Sequence, residues 1–283
     1  MCKKVSSIVE SMKTRFLQRV IACGLVLCCA FAFSTQAATP RKLLVVSVTK
    51  GFRHSSIQTA EKVLGELGQK SGAFTVDYVR NDQEMAEKMT PAALRQYDGV
   101  VFANTTGDLP LPDKQAFIDW IKSGKAFVGM HSASDTFHGF PPYIEMLGGE
   151  FQTHHAQVKV DCINQDRDHP ATRHLEATFT AFDEIYIQKN FHRDQVHGLL
   201  TLHAHPNEKT PGDYPIAWCK MYGQGRVFYT SLGHREDMWD TDTPANFKRE
   251  NAKEVSEAYQ KHILGGIKWA LGLEKGDARP QTK

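Results

Sequence analysis

The stretch Lys125-Ala126-Phe127-Val128-Gly129-Met130-His131-Ser132 decides the architecture, because a short apolar run breaks there at a histidine and a serine. A continuous apolar run bounded by polar turn residues marks a strand buried on both faces. Leu43-Leu44-Val45-Val46-Ser47-Val48 reads the same way. Between the two, Ile57, Ala60, Val63, Leu64 and Leu67 recur at helical spacing over 57–69, and 74–79 alternates as a strand. Thr90-Pro91 starts a short helix with proline at its first position. Tyr97-Asp98-Gly99 leads into a strand at 100–103, and a helix over 112–122 carries Phe117, Ile118 and Ile121. This βαβαβαβ order predicts an α/β fold, a mostly parallel sheet with helices on both faces.

After residue 150 the alternation weakens. Strands are expected at 158–163, 184–188, 199–203, 216–221 and 226–231, with Gly223-Gln224-Gly225 as a hairpin turn. A closing amphipathic helix over 246–271 sets Val255, Tyr259, His262, Ile263, Ile267 and Trp269 on one face.

Residues 1–37 carry the marks of a signal peptide: Lys3, Lys4, Lys13, Arg15 and Arg19, then an apolar run from Val20 to Phe33, then Ser34-Thr35-Gln36-Ala37. That run is short for a bilayer span. The expectation is an exported protein, periplasmic or extracellular, cleaved near Ala37, with no stable membrane insertion afterwards and one α/β domain over 38–283. Removing 1–37 takes five Lys/Arg and one Glu from totals of 34 and 32, leaving 29 basic against 31 acidic residues. No basic stripe for nucleic acid survives that correction. Only Cys162 and Cys219 remain. Both fall in strand-like runs without an adjacent histidine, so buried thiols are expected rather than nucleophiles.

In open α/β sheets ligands bind beyond the carboxyl ends of the strands. That rule selects Gly51-Phe52-Arg53-His54-Ser55, Asn104-Thr105-Thr106-Gly107, the run from His131 to His138, and His234 with Glu236 and Asp237. His154-His155 adds a fifth candidate, although adjacent residues on an extended chain point opposite ways and only one can face the site. Several neutral imidazoles with a carboxylate such as Asp135 or Glu236 suit zinc or another divalent transition metal. The expected metal ligands are His54, His131 and His154. His234, His131 and Glu236 are the expected catalytic groups, with His234 as base. Arg53, Asn104, Thr105, Ser132 and Asp135 are expected to bind substrate. No nucleotide cofactor is expected. The pair His203 and His205 is a weaker metal candidate on one strand face.

Taken together, Gly51-Phe52-Arg53-His54-Ser55-Ser56-Ile57, Asn104-Thr105-Thr106-Gly107, Gly129-Met130-His131-Ser132-Ala133-Ser134-Asp135, Gly148-Gly149-Glu150-Phe151-Gln152-Thr153-His154 and Ser231-Leu232-Gly233-His234 resemble the ThuA-like family. The resemblance covers about 41–272. It implies a flavodoxin-like sheet related to class I glutamine amidotransferases, and an association with sugar metabolism. His154 rather than His155 matches the family's Gly-Gly-x-Phe-x-x-His pattern. The amidotransferase relatives use Cys, His and Glu, the last two as His-x-Glu. This chain keeps His234-Arg235-Glu236 but has no cysteine at the strand-to-turn position, so glutaminase chemistry is not implied. The expectation is an exported enzyme cleaving glycosides or keto-glycosides by hydrolysis or elimination, with a small carbohydrate as its ligand. The alternatives are a non-catalytic sugar-binding domain and a metal-dependent amidase or esterase.

Overall fold

The computed structural model describes residues 39–281. The signal-peptide expectation for 1–37 lies outside them. No described helix is long and apolar enough to cross a membrane.

In chain order the elements are β1 (Arg41–Val46), α1 (Ile57–Ser71), β2 (Phe74–Val79), α2 (Asp82–Lys88), α3 (Pro91–Leu94), β3 (Gly99–Ala103), α4 (Lys114–Lys122) and β4 (Ala126–Met130). A 3₁₀ turn over His131–Asp135 follows, then α5 (Pro141–Leu147), β5 (Glu150–His154), β6 (Val158–Asn164), β7 (Thr178–Asp183) and β8 (Tyr186–Lys189). The chain ends with β9 (His197–Ala204), β10 (Pro211–Tyr222), β11 (Gly225–Thr230), α6 (Glu236–Trp239) and α7 (Lys253–Ala270). Nine strands form one sheet in the order β2-β1-β3-β4-β11-β10-β9-β6-β7, while β5 and β8 pair as a separate antiparallel ribbon.

The parallel half runs from β2 to β11. Its strands are apolar throughout because both faces are covered. Leu43, Val45, Val101 and Val128 pack under α1 and α7, whereas Leu44, Val46, Val100 and Phe127 pack under α4 and α5. Beyond β11, strands β10, β9, β6 and β7 pair antiparallel. Only β10 and β6 run against the common direction, which keeps the sheet mostly parallel.

Several boundaries move from their expected places. The helix expected from 112 begins at Lys114, because the Asp113 carboxylate caps the Ala116 amide at 2.8 Å. The closing helix begins at Lys253 rather than 246; residues before it wrap around the Asp237 carboxylate, which accepts the amides of Glu250 and Asn251. The strand expected at 184–188 starts at Tyr186, and neither β5 nor β7 is among the expected strands. The strand β9 ends at Ala204, so His205 lies in the turn and does not share a strand face with His203. Cys162 on β6 and Cys219 on β10 are buried free thiols. Strand β9 separates them, about two strand spacings or ~9.6 Å, beyond disulfide reach. Burial pushes the Cys162 thiol up to about 12 and raises Cys219 well above the ordinary thiol value, which disfavours a nucleophilic thiolate at either.

Helix α7 approaches the sheet through Gly265 and Gly266. A Cβ on Gly266 would lie 2.4 Å from the Phe228 ring, and one on Gly265 would lie 2.1 Å from the Pro170 carbonyl oxygen. Glycine costs a helix interior about 1 kcal/mol, a penalty offset here by close helix-to-sheet packing. Gly266→Leu is therefore expected to destabilise the protein by about 2 kcal/mol or more. Urea unfolding would measure it, and an unchanged midpoint would contradict this packing account.

Candidate functional site

Three imidazoles and one carboxylate converge beyond the carboxyl ends of β1, β4, β7 and β11. His54 comes from the loop between β1 and α1. His131 opens the 3₁₀ turn after β4, Glu184 follows β7, and His234 follows β11. One ligand-capable atom from each lies within 4.8 Å of all the others. His131 Nε2 is 3.1 Å from His54 Nε2 and 3.3 Å from His234 Nδ1. Glu184 Oε2 is 3.2 Å from His234 Nδ1 and 3.7 Å from His131 Nε2.

The tautomer of His131 follows from its other nitrogen. Nδ1 donates to the Ser231 carbonyl at 2.8 Å, so the lone pair is on Nε2 and points into the cluster. The residue takes φ +47°, a left-handed backbone that costs a non-glycine residue about 1 kcal/mol or more. Tyr229 holds it there by donating its hydroxyl to the His131 carbonyl at 2.7 Å. The Tyr186 ring packs against the imidazole at 4.3 Å.

The loops bearing His54 and His234 meet at Gly233. Its carbonyl oxygen accepts from Asn104 Nδ2 at 2.9 Å, Trp239 Nε1 at 2.8 Å and Ser56 Oγ at 3.1 Å. Its amide donates to Asp183 Oδ2 at 2.7 Å, and Asp183 Oδ1 accepts the Glu184 amide at 3.0 Å. A single buried carboxyl thus sets both Glu184 and the backbone entering His234. Gly233 has φ +119°, and a Cβ there would meet Tyr259 Oη at 2.8 Å.

Burial pulls His54 down to about 4, helped by His234 and opposed by Glu184. His131 lies well below the ordinary imidazole value, first from burial and then from the neighbouring imidazoles. For His234 burial also lowers the pKa, but the hydrogen bond and charge of Glu184 outweigh it and the net direction is up. Burial pushes Asp183 up to about 7 despite the Gly233 amide. Two neutral imidazoles beside a histidine–carboxylate pair are a set suited to a divalent cation or to proton transfer.

The expected site residues divide sharply. His54, His131 and His234 come together. His154 is outside that set, but its Nδ1 meets the other oxygen of Glu184 at 3.1 Å. Its place depends on a bulge in β5 at Gln152, between the pairs Phe151–Gln188 and Thr153–Ile187. His155 points elsewhere, toward Glu208 at 3.7 Å. Ser132 Oγ is 3.3 Å from His54 Nδ1 and orients that ring. Asn104 and Thr105 are buried and bonded to structure, Asn104 as described and Thr105 to the Thr136 hydroxyl at 2.8 Å. The Arg53 guanidinium donates to the Ser47 carbonyl at 2.9 Å. Asp135 bonds His138 at 2.6 Å, and His138 in turn bonds Glu150. Glu236 opens α6 and raises His234 only through space; the carboxylate bonded to His234 is Glu184. Sequence reasoning missed Glu184 and Asp183. Their signal was an acidic pair at the end of an alternating strand, but 184 had been assigned to a strand of its own.

Because the folded pKa of His54 is about 4 and its ordinary value 6.5, unfolding takes up a proton between those limits. The resulting penalty is absent above pH 6.5, grows as pH falls and is complete below about 4. Asp183 acts in the opposite sense as pH falls below about 7, so the His54 contribution must be read by difference. With chelator present, wild type should lose about 3 kcal/mol relative to His54→Gln between pH 6.5 and about 4. Paired urea titrations check this, and parallel pH curves would refute it.

Residues 42–270 match the ThuA family, described as trehalose utilisation. No curated protein matches the chain. Among solved structures, a ThuA-like protein from Parabacteroides merdae ATCC 43184 superposes with TM-score 0.63 at 21% identity, covering 82% of this chain and 90% of that one. Another from Bacteroides uniformis ATCC 8492 gives 0.62 at 22%, covering 83% and 93%. A cytoplasmic protein of Salmonella typhimurium LT2 gives 0.53 at 14%, covering 81% and 99%. These likenesses establish the fold, and the family match ties the chain to carbohydrate-related function. The chain belongs to the ThuA family.

Proposed function

We propose that this protein is an exported, metal-assisted enzyme that cleaves glycosides carrying a ring ketone. The observation that carries the reading is the convergence of His54, His131, His234 and Glu184 from four separate strand ends. A zinc ion that takes four or five ligands at about 2.0–2.1 Å sets neighbouring donor atoms about 3–3.5 Å apart. The nitrogen separations of 3.1 and 3.3 Å, and the Glu184 oxygen at 3.2 Å from His234 and 3.7 Å from His131, lie close to that spacing. The low pKa values of His54 and His131 keep both rings neutral, as ligands must be. These four residues would hold the ion. A bound divalent ion supplies positive charge that polarises the ketone and stabilises negative charge developing on its oxygen.

The base in this reading is His154, since Nδ1 of His234 is turned into the cluster. His154 Nδ1 faces two acceptors, Glu184 Oε1 at 3.1 Å and the His155 carbonyl at 3.0 Å. Its hydrogen therefore sits on Nδ1 and its lone pair on Nε2. The ring is 43% exposed, so substrate can reach it. His154 Nε2 takes the proton from the carbon beside the ketone, and that electron pair forms a carbon–carbon double bond as the glycosidic oxygen departs. The departing oxygen recovers the proton from the imidazolium. The basic, apolar and small-residue succession over 1–37 supports placing the enzyme in an export compartment.

Protein purified without added metal is expected to carry one equivalent of a divalent transition metal, lost in His131→Ala. With zinc, manganese or cobalt supplied, it should release the aglycone from 3-keto-glycosides but not from their unoxidised parents. His154→Ala should lower kcat by about 10²–10⁴-fold while metal content is retained. Full activity in His154→Ala, or none in wild type, removes this reading. Hydrolysis of simple amides or esters that needs no ketone would favour an amidase instead.

A further inference from the structure

Among the described residues three large apolar side chains are exposed: Phe52 at 67%, Met221 at 46% and Leu273 at 41%. Phe52 is the aromatic one and also the one at the site. Its ring stands edge-on to His54, with centroids 4.9 Å apart and planes at 81°. A single exposed apolar residue is ordinary on a protein surface. What sets Phe52 apart is the backbone that presents it.

Residues 49–52 are stitched to Thr106 on both sides of the ring. Thr49 bridges to Thr106, and the Lys50 amide donates to the Thr106 carbonyl at 2.7 Å. The Gly51 amide donates to Thr106 Oγ1 at 3.1 Å, and that hydroxyl donates to the Phe52 carbonyl at 2.9 Å. A Cβ on Gly51 would lie 3.3 Å from Thr106 Oγ1, so the strap fits closely. Arg53, the next residue, is drawn back to the Ser47 carbonyl and does not cover the ring. The aromatic face is therefore held in water by a fixed loop, in contact with a residue of the cluster. A π-face carries partial negative charge and complements the partly positive C–H groups on the apolar face of a pyranose.

We propose that Phe52 is the stacking platform on which the pyranose ring of the ligand lies, fixing it over the histidine cluster. This rests on the carbohydrate reading but not on the elimination chemistry. Calorimetry and saturation-transfer NMR with trehalose and methyl α-D-glucopyranoside test it on wild type, Phe52→Ala, Phe52→Trp and Met221→Ala. Phe52→Ala should weaken binding about 10-fold or more. Phe52→Trp should restore it, Met221→Ala should leave it unchanged, and zinc content should be the same in all four. Wild-type affinity in Phe52→Ala, failure of tryptophan to restore binding, an equal loss in Met221→Ala, or no binding of either sugar by wild type overturns the proposal. Retained, Phe52-dependent sugar binding with no turnover of keto-glycosides would sink the proposed reaction and leave the platform standing.

Discussion

The site depends on how one peptide unit is held. The Gly233 carbonyl receives three donors from Asn104, Ser56 and Trp239, and its amide is taken by the buried Asp183. Those partners lie at the end of β7 and in the segments following β1, β3 and β11, so a single residue registers parts of the chain distant in sequence. A buried backbone polar group left unpaired would cost about 1–3 kcal/mol, and here both ends are satisfied. Positive φ at Gly233 leaves no room for another side chain. The knot ties together the loops that carry His54 and His234, whereas His131 is held separately by the Ser231 carbonyl and the Tyr229 hydroxyl.

The parallel half of the fold was legible because both faces are buried. Leu43 to Val46 and Ala126 to Met130 had to read as continuous apolar runs, and the helices between them kept their own period. Of the antiparallel half, β6, β9 and β10 were legible as strands while β7 was not. The sheet order was not legible either, since pairing partners are chosen by turn geometry and twist rather than composition. Strand β5 is not legible because a bulge and exposed residues break the alternation that would announce it.

The site was legible as histidines and not as carboxylates. His54, His131 and His234 stand beside glycines or strand ends, where a polar residue after an apolar run has few structural uses. Glu184 follows a buried aspartate, and two acids at a strand end look like an ordinary solvated turn. Only the fold reveals that Asp183 is fully buried while Glu184 faces three imidazoles. Asn104 and Thr105 stand at a strand end as expected, and the hydrogen bonds they make there hold the loops together.

The β5–β8 ribbon is separate from the nine-stranded sheet, and it brings His154 to the site while Glu184 lies on the approach to β8. The two halves of the site are thus inherited from different structural units. His54, His131 and His234 are bound to the strand ends of a close-packed sheet, where a shift of any one is resisted by both buried layers. His154 hangs on a short two-stranded element whose bulge alone sets which way it points. Removing that one extra residue would alter the backbone leading to His154 without disturbing a single core strand. A lineage can therefore retain the histidine cluster and exchange the residue presented beside it, by editing the ribbon rather than by rebuilding the fold.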